Sequence, residues 1–532
     1  MSTILSFDIG TTGVKTCLYT VTPDDVCLVD TDYATYSLFF LPEGGAEQDP
    51  EEWWQAIAQT TRSIASRQAS LMSDLSGITF CSQMQSVVLV DDSGLPVRRS
   101  LSYMDQRSTD LRKQKSGLGP KIAGVGLPLL VRSLYHTGVV AASDKDPPWK
   151  YLWVKHHEPD IFARAYKWLD VKESLIARMC RRFVMSRDSA FATLLMNKKD
   201  DRFSQSLLRK LGITPDHLPE IVSATDCVGR LLPGPAKELG LREGIKVFAG
   251  GGDASLVGLG AGCVRPGQGH IYMGTSGWAS VITDKRVVDT SHMIASVVGV
   301  QPGLFNYFAE LETAGKCLEW VRDHLALDEI NIYLEKTRVT DDPGTQYHSL
   351  YDYLSQVIST AEAGSGGVLF APWLHGNRCP FEDAYARGIF FNIGLETGKT
   401  EMIRAVIEGI CYHLRWSLEV IEQKLPVDQT LRFVGGGALS EVTASILADI
   451  LERPIELVVD PQNVGALGGA LVAAVGLGVL PDLEATAHLI VPRTTFEPNE
   501  ASYPVHRQNF RAFKELYRRN KAIFEQLNQS NS

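Results

Sequence analysis

The stretch Ile4-Leu5-Ser6-Phe7-Asp8-Ile9-Gly10-Thr11-Thr12-Gly13-Val14-Lys15-Thr16-Cys17-Leu18-Tyr19 sets the reading of the whole chain. Apolar residues run into Asp8, break at a Gly-Thr-Thr-Gly turn and resume at Val14, the pattern of two strands joined by a tight hairpin. A turn with few bulky side chains lets several N–H groups converge on a phosphate, and the threonine hydroxyls add neutral donors. Asp8, just ahead of the turn, is placed to face a magnesium ion held by the same phosphates. Taken alone, the stretch fits an ordinary hairpin equally well.

A second copy changes that balance. Gln268-Gly269-His270-Ile271-Tyr272-Met273-Gly274-Thr275-Ser276-Gly277-Trp278-Ala279-Ser280-Val281-Ile282 repeats the pattern, and the two glycines that open the turns, Gly10 and Gly274, stand about 264 residues apart, nearly half the chain. Self-similarity at that spacing predicts two related domains, each offering a phosphate-binding hairpin to a shared cleft.

A chain of 532 residues is too long for one core. Its net charge of −10 weighs against a nucleic-acid or anionic-membrane surface and leaves small molecules as the expected partners. The nine cysteines contain no C-x-x-C pair and read as reduced core thiols of a cytoplasmic protein. The uncharged run 461–481, built on glycine and alanine and closed by prolines, reads as a tightly packed helix rather than a membrane span.

Between the hairpins, Asp49-Pro50-Glu51-Glu52 is a helix start: cap, proline at the first position, acidic first turn. A buried strand from Ile78 runs into Gln83-Met84-Gln85, and polar residues at a strand end in an α/β fold face the ligand crevice. Tyr103-Met104-Asp105-Gln106-Arg107 offers an acid, an amide and a guanidinium near the same edge, or else a surface ion pair. Residues 113–150, rich in glycine, proline and charge, read as a cap or lid insertion. A strand at 245–249 then leads into Gly250-Gly251-Gly252-Asp253. A carboxylate at an uncrowded strand end suits a general base, and equally an N-cap for the next helix.

After the second hairpin, a helix is expected to open at Glu312 and a long one to span 400–424, with Ile403, Ile407, Ile410, Cys411 and Leu414 on its core face. A strand at 431–434 enters Gly435-Gly436-Gly437, a turn against which a flat base or a phosphate can lie. Phe510, Phe513, Tyr517, Phe524 and Leu527 form a docking stripe in the tail.

Taken in this order, the motifs resemble those of the FGGY family of carbohydrate kinases, most of all its xylulokinase branch. The resemblance spans essentially the whole chain. It implies an α/β protein of two ribonuclease-H-like domains, of the actin/hexokinase/Hsp70 ATPase type, flanking a nucleotide and sugar cleft. Residues 1–246 would form the sugar side, 247–500 the nucleotide side and 501–532 a docking helix. ATP with Mg2+ is implied, with transfer of the γ-phosphoryl group to a hydroxyl of a small sugar, ketose or polyol. A sugar acid is the alternative acceptor, and a non-kinase actin-like ATPase the more distant reading.

Position by position, the resemblance implies Asp253 as the general base, also touching the substrate, and Asp8 at the metal. Met84, Gln85, Tyr103 and Asp105 fall at the sugar. Gly10, Thr11, Thr12, Lys15, Gly274, Thr275, Gly315, Gly435, Gly436, Gly437 and Ser440 fall at the nucleotide. A homodimer is one assembly the resemblance allows. The sequence departs from the branch at Gln85, where histidine is usual, at Ala254, where asparagine commonly follows the base, and at Cys379 and Phe381. An amide both donates and accepts where neutral imidazole does one at each nitrogen, so hydroxyl recognition must differ.

Overall fold

The computed structural model describes residues 1–325 and 355–529, less 118, 119, 123, 290 and 293. The chain divides into two units. The first comprises Met1–Gly260, Val297–Gly303 and Gly465–Leu489, and the second Ala261–Ser296, Leu304–Val464 and Ile490–Ser532.

Each unit is built on a sheet of the same plan. In the first, strand Ser2–Ile9 pairs antiparallel with Gly13–Val21, which pairs antiparallel with Val26–Thr35. On its other side Ser2–Ile9 pairs parallel with Leu75–Ser82, then Lys246–Phe248 follows in parallel and Cys227–Arg230 closes the edge antiparallel. In the second unit Gly269–Met273 takes the central place. Gly277–Thr283 and Phe305–Leu311 form the antiparallel side. Leu431–Val434 and Ile455–Val458 form the parallel side, closed antiparallel by Pro492–Phe496. This is the ribonuclease-H-like arrangement, present twice, as the repeated hairpin predicts.

The central strand of the first sheet is a continuous apolar run because both its faces are covered: Ile4, Leu5, Phe7 and Ile9 are wholly buried. One cover is helix Pro50–Arg67, whose Asp49 cap accepts the Glu51 N–H at 2.9 Å and whose Trp53, Ile57 and Ile64 are buried. Another is the glycine-rich helix Val464–Gly476, all but its first residue in this unit. It lies so close that a Cβ on Gly465 would stand 2.7 Å from Asp8 Oδ2, and one on Gly469 2.7 Å from Ser6 Oγ. A second apolar cluster in the same unit gathers Val87, Leu101, Trp149, Leu152 and Trp168.

In the second unit helix Lys399–Glu422 buries the five residues expected on its core face. Helix Tyr503–Asn528 docks on the same core through Phe510, Phe513 and Phe524.

Some expectations need correction. Leu527 leaves the docking stripe and is exposed, since the stripe ends where the core does. Cys27 and Cys227 are exposed, not core, although all nine thiols are free. The helix expected at Glu312 begins at Gly315, where the N–H groups of Ala314, Gly315 and Lys316 bond to the second hairpin turn. Gly251 and Gly252 pair with Cys81 and Ser82 of the first unit's sheet. Among the described residues no helix is long and apolar enough to cross a membrane.

Candidate active site

The first hairpin turn is built by its neighbours. The Gly10 N–H donates to the Gly13 carbonyl at 3.0 Å, and the Tyr36 hydroxyl donates to the Gly10 and Gly13 carbonyls at 2.5 and 3.0 Å. The Gln48 amide donates to the Thr11 carbonyl at 2.6 Å and accepts from Gln83 at 2.8 Å. With the turn carbonyls occupied from behind, Thr12 remains exposed and Thr11 half-buried, its hydroxyl 3.3 Å from that of Tyr103. Asp8 faces Lys15 across the strand pair. Burial pushes the Asp8 carboxyl up from its ordinary range, and Lys15 and a hydrogen bond with Cys81 pull it partly back.

Asp253 opens helix Asp253–Gly260, and its carboxylate accepts the Ala254 N–H at 2.7 Å, so it does act as a helix-start acceptor. The glycines before it run parallel to the end of strand Leu75–Ser82, and Asp188 holds the Gly252 N–H at 2.7 Å. The fit is tight enough that a Cβ on Gly252 would collide with the Met84 side chain. Asp253 and Met84–Gln85, remote in sequence, are therefore neighbours. Burial pushes the Cys81 thiol well up, and the nearby carboxylates of Asp8, Asp253 and Asp188 add to it.

Gln85 has a left-handed backbone, φ 67°, which non-glycine residues rarely adopt. Its N–H donates to Asp170 at 2.7 Å and its carbonyl accepts from Lys150 at 2.6 Å. Asp105 is fully buried, so the ion pair read as a surface feature is an interior one. Its carboxylate takes the Arg107 guanidinium at 2.7 Å and the Ala46 N–H at 2.8 Å. Glu47, Arg98 and Glu158 extend this network. Asp105 thus holds the turn that carries Tyr103.

In the second unit three distant stretches converge. The Gly315 N–H donates to the Gly274 carbonyl at 2.8 Å, and the Ala314 and Lys316 N–H groups to the Thr275 carbonyl at 3.1 and 3.2 Å. A Cβ on Gly315 would stand 2.5 Å from the Gly274 oxygen. Gly435, at φ +90°, brings the third stretch onto Met273, where a Cβ would meet the Met273 carbonyl at 2.6 Å. Beyond Gly436 and Gly437, Ser440 caps helix Glu441–Leu451 by accepting the Thr443 N–H at 3.1 Å.

The site residues split between the units: Asp8, Gly10, Thr11, Thr12, Lys15, Met84, Gln85, Tyr103, Asp105 and Asp253 in the first, the remaining glycines, Thr275 and Ser440 in the second. Tyr36, Gln48, Lys150, Asp170 and Asp188 escaped the sequence reading. Only Gln48 carries a local signal, directly preceding the Asp49 helix cap.

The N-terminal domain model of the FGGY family of carbohydrate kinases matches residues 3–260 and the C-terminal domain model residues 269–477. A xylulose kinase of Staphylococcus epidermidis is 26% identical over 98% of each chain. A gluconokinase of Bacillus subtilis is 28% identical over 97% of this chain and 96% of its own. The solved structure of a ligand-bound xylulose kinase from Lactobacillus acidophilus shares the fold, with a TM-score of 0.82 at 24% identity over 99% of this chain and all of that one. Matched by both domain models of the family in order, the chain belongs to the FGGY family of carbohydrate kinases and is an ATP-dependent sugar kinase.

Proposed function

We propose that the chain phosphorylates a hydroxyl of a small ketose, polyol or sugar acid, with Asp253 as the general base that takes the hydroxyl proton. The observation that carries this reading is the pairing of Gly251 and Gly252 with Cys81 and Ser82, which sets Asp253 beside Met84 and Gln85. A base needs its carboxylate within about 2.6–3.2 Å of the proton it removes, and here it sits next to the residues assigned to the acceptor.

The transferred phosphoryl group passes through a loose transition state, so positioning and charge stabilisation do most of the catalytic work. Met84, Gln85 and Tyr103 hold the acceptor, and Asp105 keeps Tyr103 in place. Thr11 and Thr12 donate to phosphate, and Gly10, whose N–H is held by the Gly13 carbonyl, leaves room for its approach. The glycine face of the second unit, Gly274, Thr275, Gly315 and Gly435 to Gly437, receives the nucleotide. Asp8 fits a Mg2+ ion, which takes one or two carboxylates and completes its shell with phosphate and water. Bound there, the ion would neutralise phosphate charge. Relatives named for xylulose and for gluconate match over the same length at 26% and 28%, which supports a five- or six-carbon polyhydroxylated acceptor. The nine free thiols suit the reducing cytoplasm.

The test is coupled ADP release from the purified chain over pentuloses, hexuloses, polyols and sugar acids, repeated with Asp253→Asn. Loss of a general base is expected to lower kcat about 10²–10⁴-fold with KM for ATP unchanged. Near-normal turnover by the variant would overturn the assignment of the base, and ATP hydrolysis indifferent to every acceptor would overturn the reading as a whole.

A further inference from the structure

Lys150 is wholly buried, yet nothing in the reading above uses it. It lies in helix Pro147–His157, at the end of the stretch read as a cap insertion. Its ammonium donates to the Gln85 carbonyl at 2.6 Å and to the Ser102 carbonyl at 2.9 Å. The first carbonyl belongs to Gln85, a residue assigned to the acceptor, and the second to Ser102, which directly precedes another, Tyr103. On the opposite side of the Gln85 residue, Asp170 takes the Gln85 and Ser86 N–H groups at 2.7 and 3.0 Å.

We propose that Lys150 is a positioning residue for the acceptor: with Asp170 as its counterpart, its ammonium ties the Gln85 and Tyr103 segments into one rigid wall and thereby sets the affinity for the sugar. The inference rests on the acceptor reading given above.

Two features support a role beyond packing. A buried ammonium is costly unless several partners compensate it, whereas a neutral donor could have bridged two carbonyls; charge-assisted bonds are about twice as strong. The peptide it grips is also the one held in the left-handed region, where a non-glycine residue persists only under firm restraint from its surroundings. With both sides of that residue gripped, the Gln85 side chain has a defined direction.

The charged groups facing the Lys150 ammonium are Asp105 with its partner Arg107, Asp170 with Glu173 and Lys172 from the next helix, and Asp146 and Lys145 from the turn before its own. Burial pushes its pKa down to about 8, with the three aspartates opposing that shift and Lys145 adding to it. The grip therefore weakens as pH rises through about 8.

The test uses the full chain and D-xylulose or D-gluconate, whichever the wild type phosphorylates faster. Lys150→Met is expected to raise KM for that acceptor at least about tenfold, the scale of one lost charge-assisted bond, with KM for ATP within about twofold. Wild-type acceptor KM should rise between pH 7 and 9, and the variant's should not. If Lys150→Met does not fold, Asp170→Asn, which keeps the shape and one acceptor oxygen, should show the same split at smaller size. Equal rises in both KM values, or a flat wild-type profile, overturn the proposal. Gln85→Ala separates the two readings. If it leaves acceptor KM unchanged, the acceptor assignment itself fails; if it raises KM while the Lys150 and Asp170 variants do not, only the positioning role fails.

Discussion

The two hairpins descend from one pattern and differ in what stands behind their turns. In the first, the last strand pair is Ile9 with Val14, and the position before it sets Asp8 across from Lys15. In the second, the last pair is Met273 with Gly277, one residue tighter, and Tyr272 faces Trp278 with their rings stacked at 3.8 Å. A carboxylate and an ammonium occupy in one copy the place of two aromatic rings in the other. Behind Trp278, His270 accepts its indole N–H at 3.0 Å and is pushed down to about 3 by burial, so that hairpin carries no titrating charge near neutral pH. The turns are also propped differently: the Tyr36 hydroxyl and the Gln48 amide hold the first, a helix N-terminus the second. The contrast assigns charge management to the first hairpin and shape to the second.

The largest break in this comparison is expected from Asp8→Asn against Tyr272→Phe. Removing a preorganised charged group at a transferring phosphoryl costs on the order of 10²–10³ in kcat, so Asp8→Asn should fall by that factor in the ADP-release assay. Tyr272→Phe keeps the ring stack and should stay within about threefold, because loss of one neutral hydroxyl shifts free energy by about 1 kcal/mol or less. Equal losses would abolish the division of labour.

Next in size are the glycines. In the second unit Gly315→Ala places a methyl 2.5 Å from a backbone oxygen, which cannot move aside as a side-chain tip can. It should raise KM for ATP about tenfold or more and lower the melting temperature, since forced repacking costs about 1–3 kcal/mol. Gly10→Ala meets nothing closer than the Gly13 oxygen at 3.4 Å, an ordinary contact. Its melting temperature should stay unchanged while KM for ATP rises, because the methyl obstructs only the approach of phosphate. Thermal shift and initial rates on the same two preparations separate these outcomes.

These differences explain what could be read from the chain and what could not. Gly10 to Gly13 and Gly274 to Gly277 are consecutive, so both hairpins, and with them the doubled fold, were visible as a repeat. Asp253 was visible because its three glycines precede it directly. The props were not: Gln85 meets Asp170 across 85 residues, Lys150 across 65, and Gly252 meets Asp188 across 64. No spacing rule for helix or strand reaches that far. Asp105 was found, but its burial depends on Glu47 and Ala46 arriving from elsewhere, which turned an expected surface pair into an interior network.

A smaller effect is expected from Tyr36→Phe. The hydroxyl serves two carbonyls of the first turn, whereas helix N-terminal N–H groups serve those of the second. Losing a buried hydrogen bond of this kind costs about 0.5–1.5 kcal/mol, so kcat/KM for ATP should fall about three- to tenfold. An unchanged value would mean that the turn holds its shape without a prop, as an ordinary hairpin does.

The finest test is the pH dependence of stability in Asp8 variants. Burial raises the folded-state pKa of Asp8 above its unfolded value, so the ionised carboxylate costs stability above that raised pKa, and the cost is relieved as pH falls through it. Asp8→Asn should therefore melt higher than wild type at pH 8, with the gain shrinking as the solution is acidified. Lys15→Met removes the charge that pulls the carboxyl back toward its ordinary range, so it should melt lower than wild type at pH 8 and converge on it at low pH. No variant of the Tyr272–Trp278 pair should show such a pH-dependent difference, because the pair sets neither a carboxylate nor an ammonium across the strands. Parallel melting curves from pH 4 to 8 that move Asp8→Asn and Lys15→Met in the same direction would mean that the pair across the first hairpin is not electrostatically linked. In that case its substitution for the aromatic stack would have to be explained by packing alone.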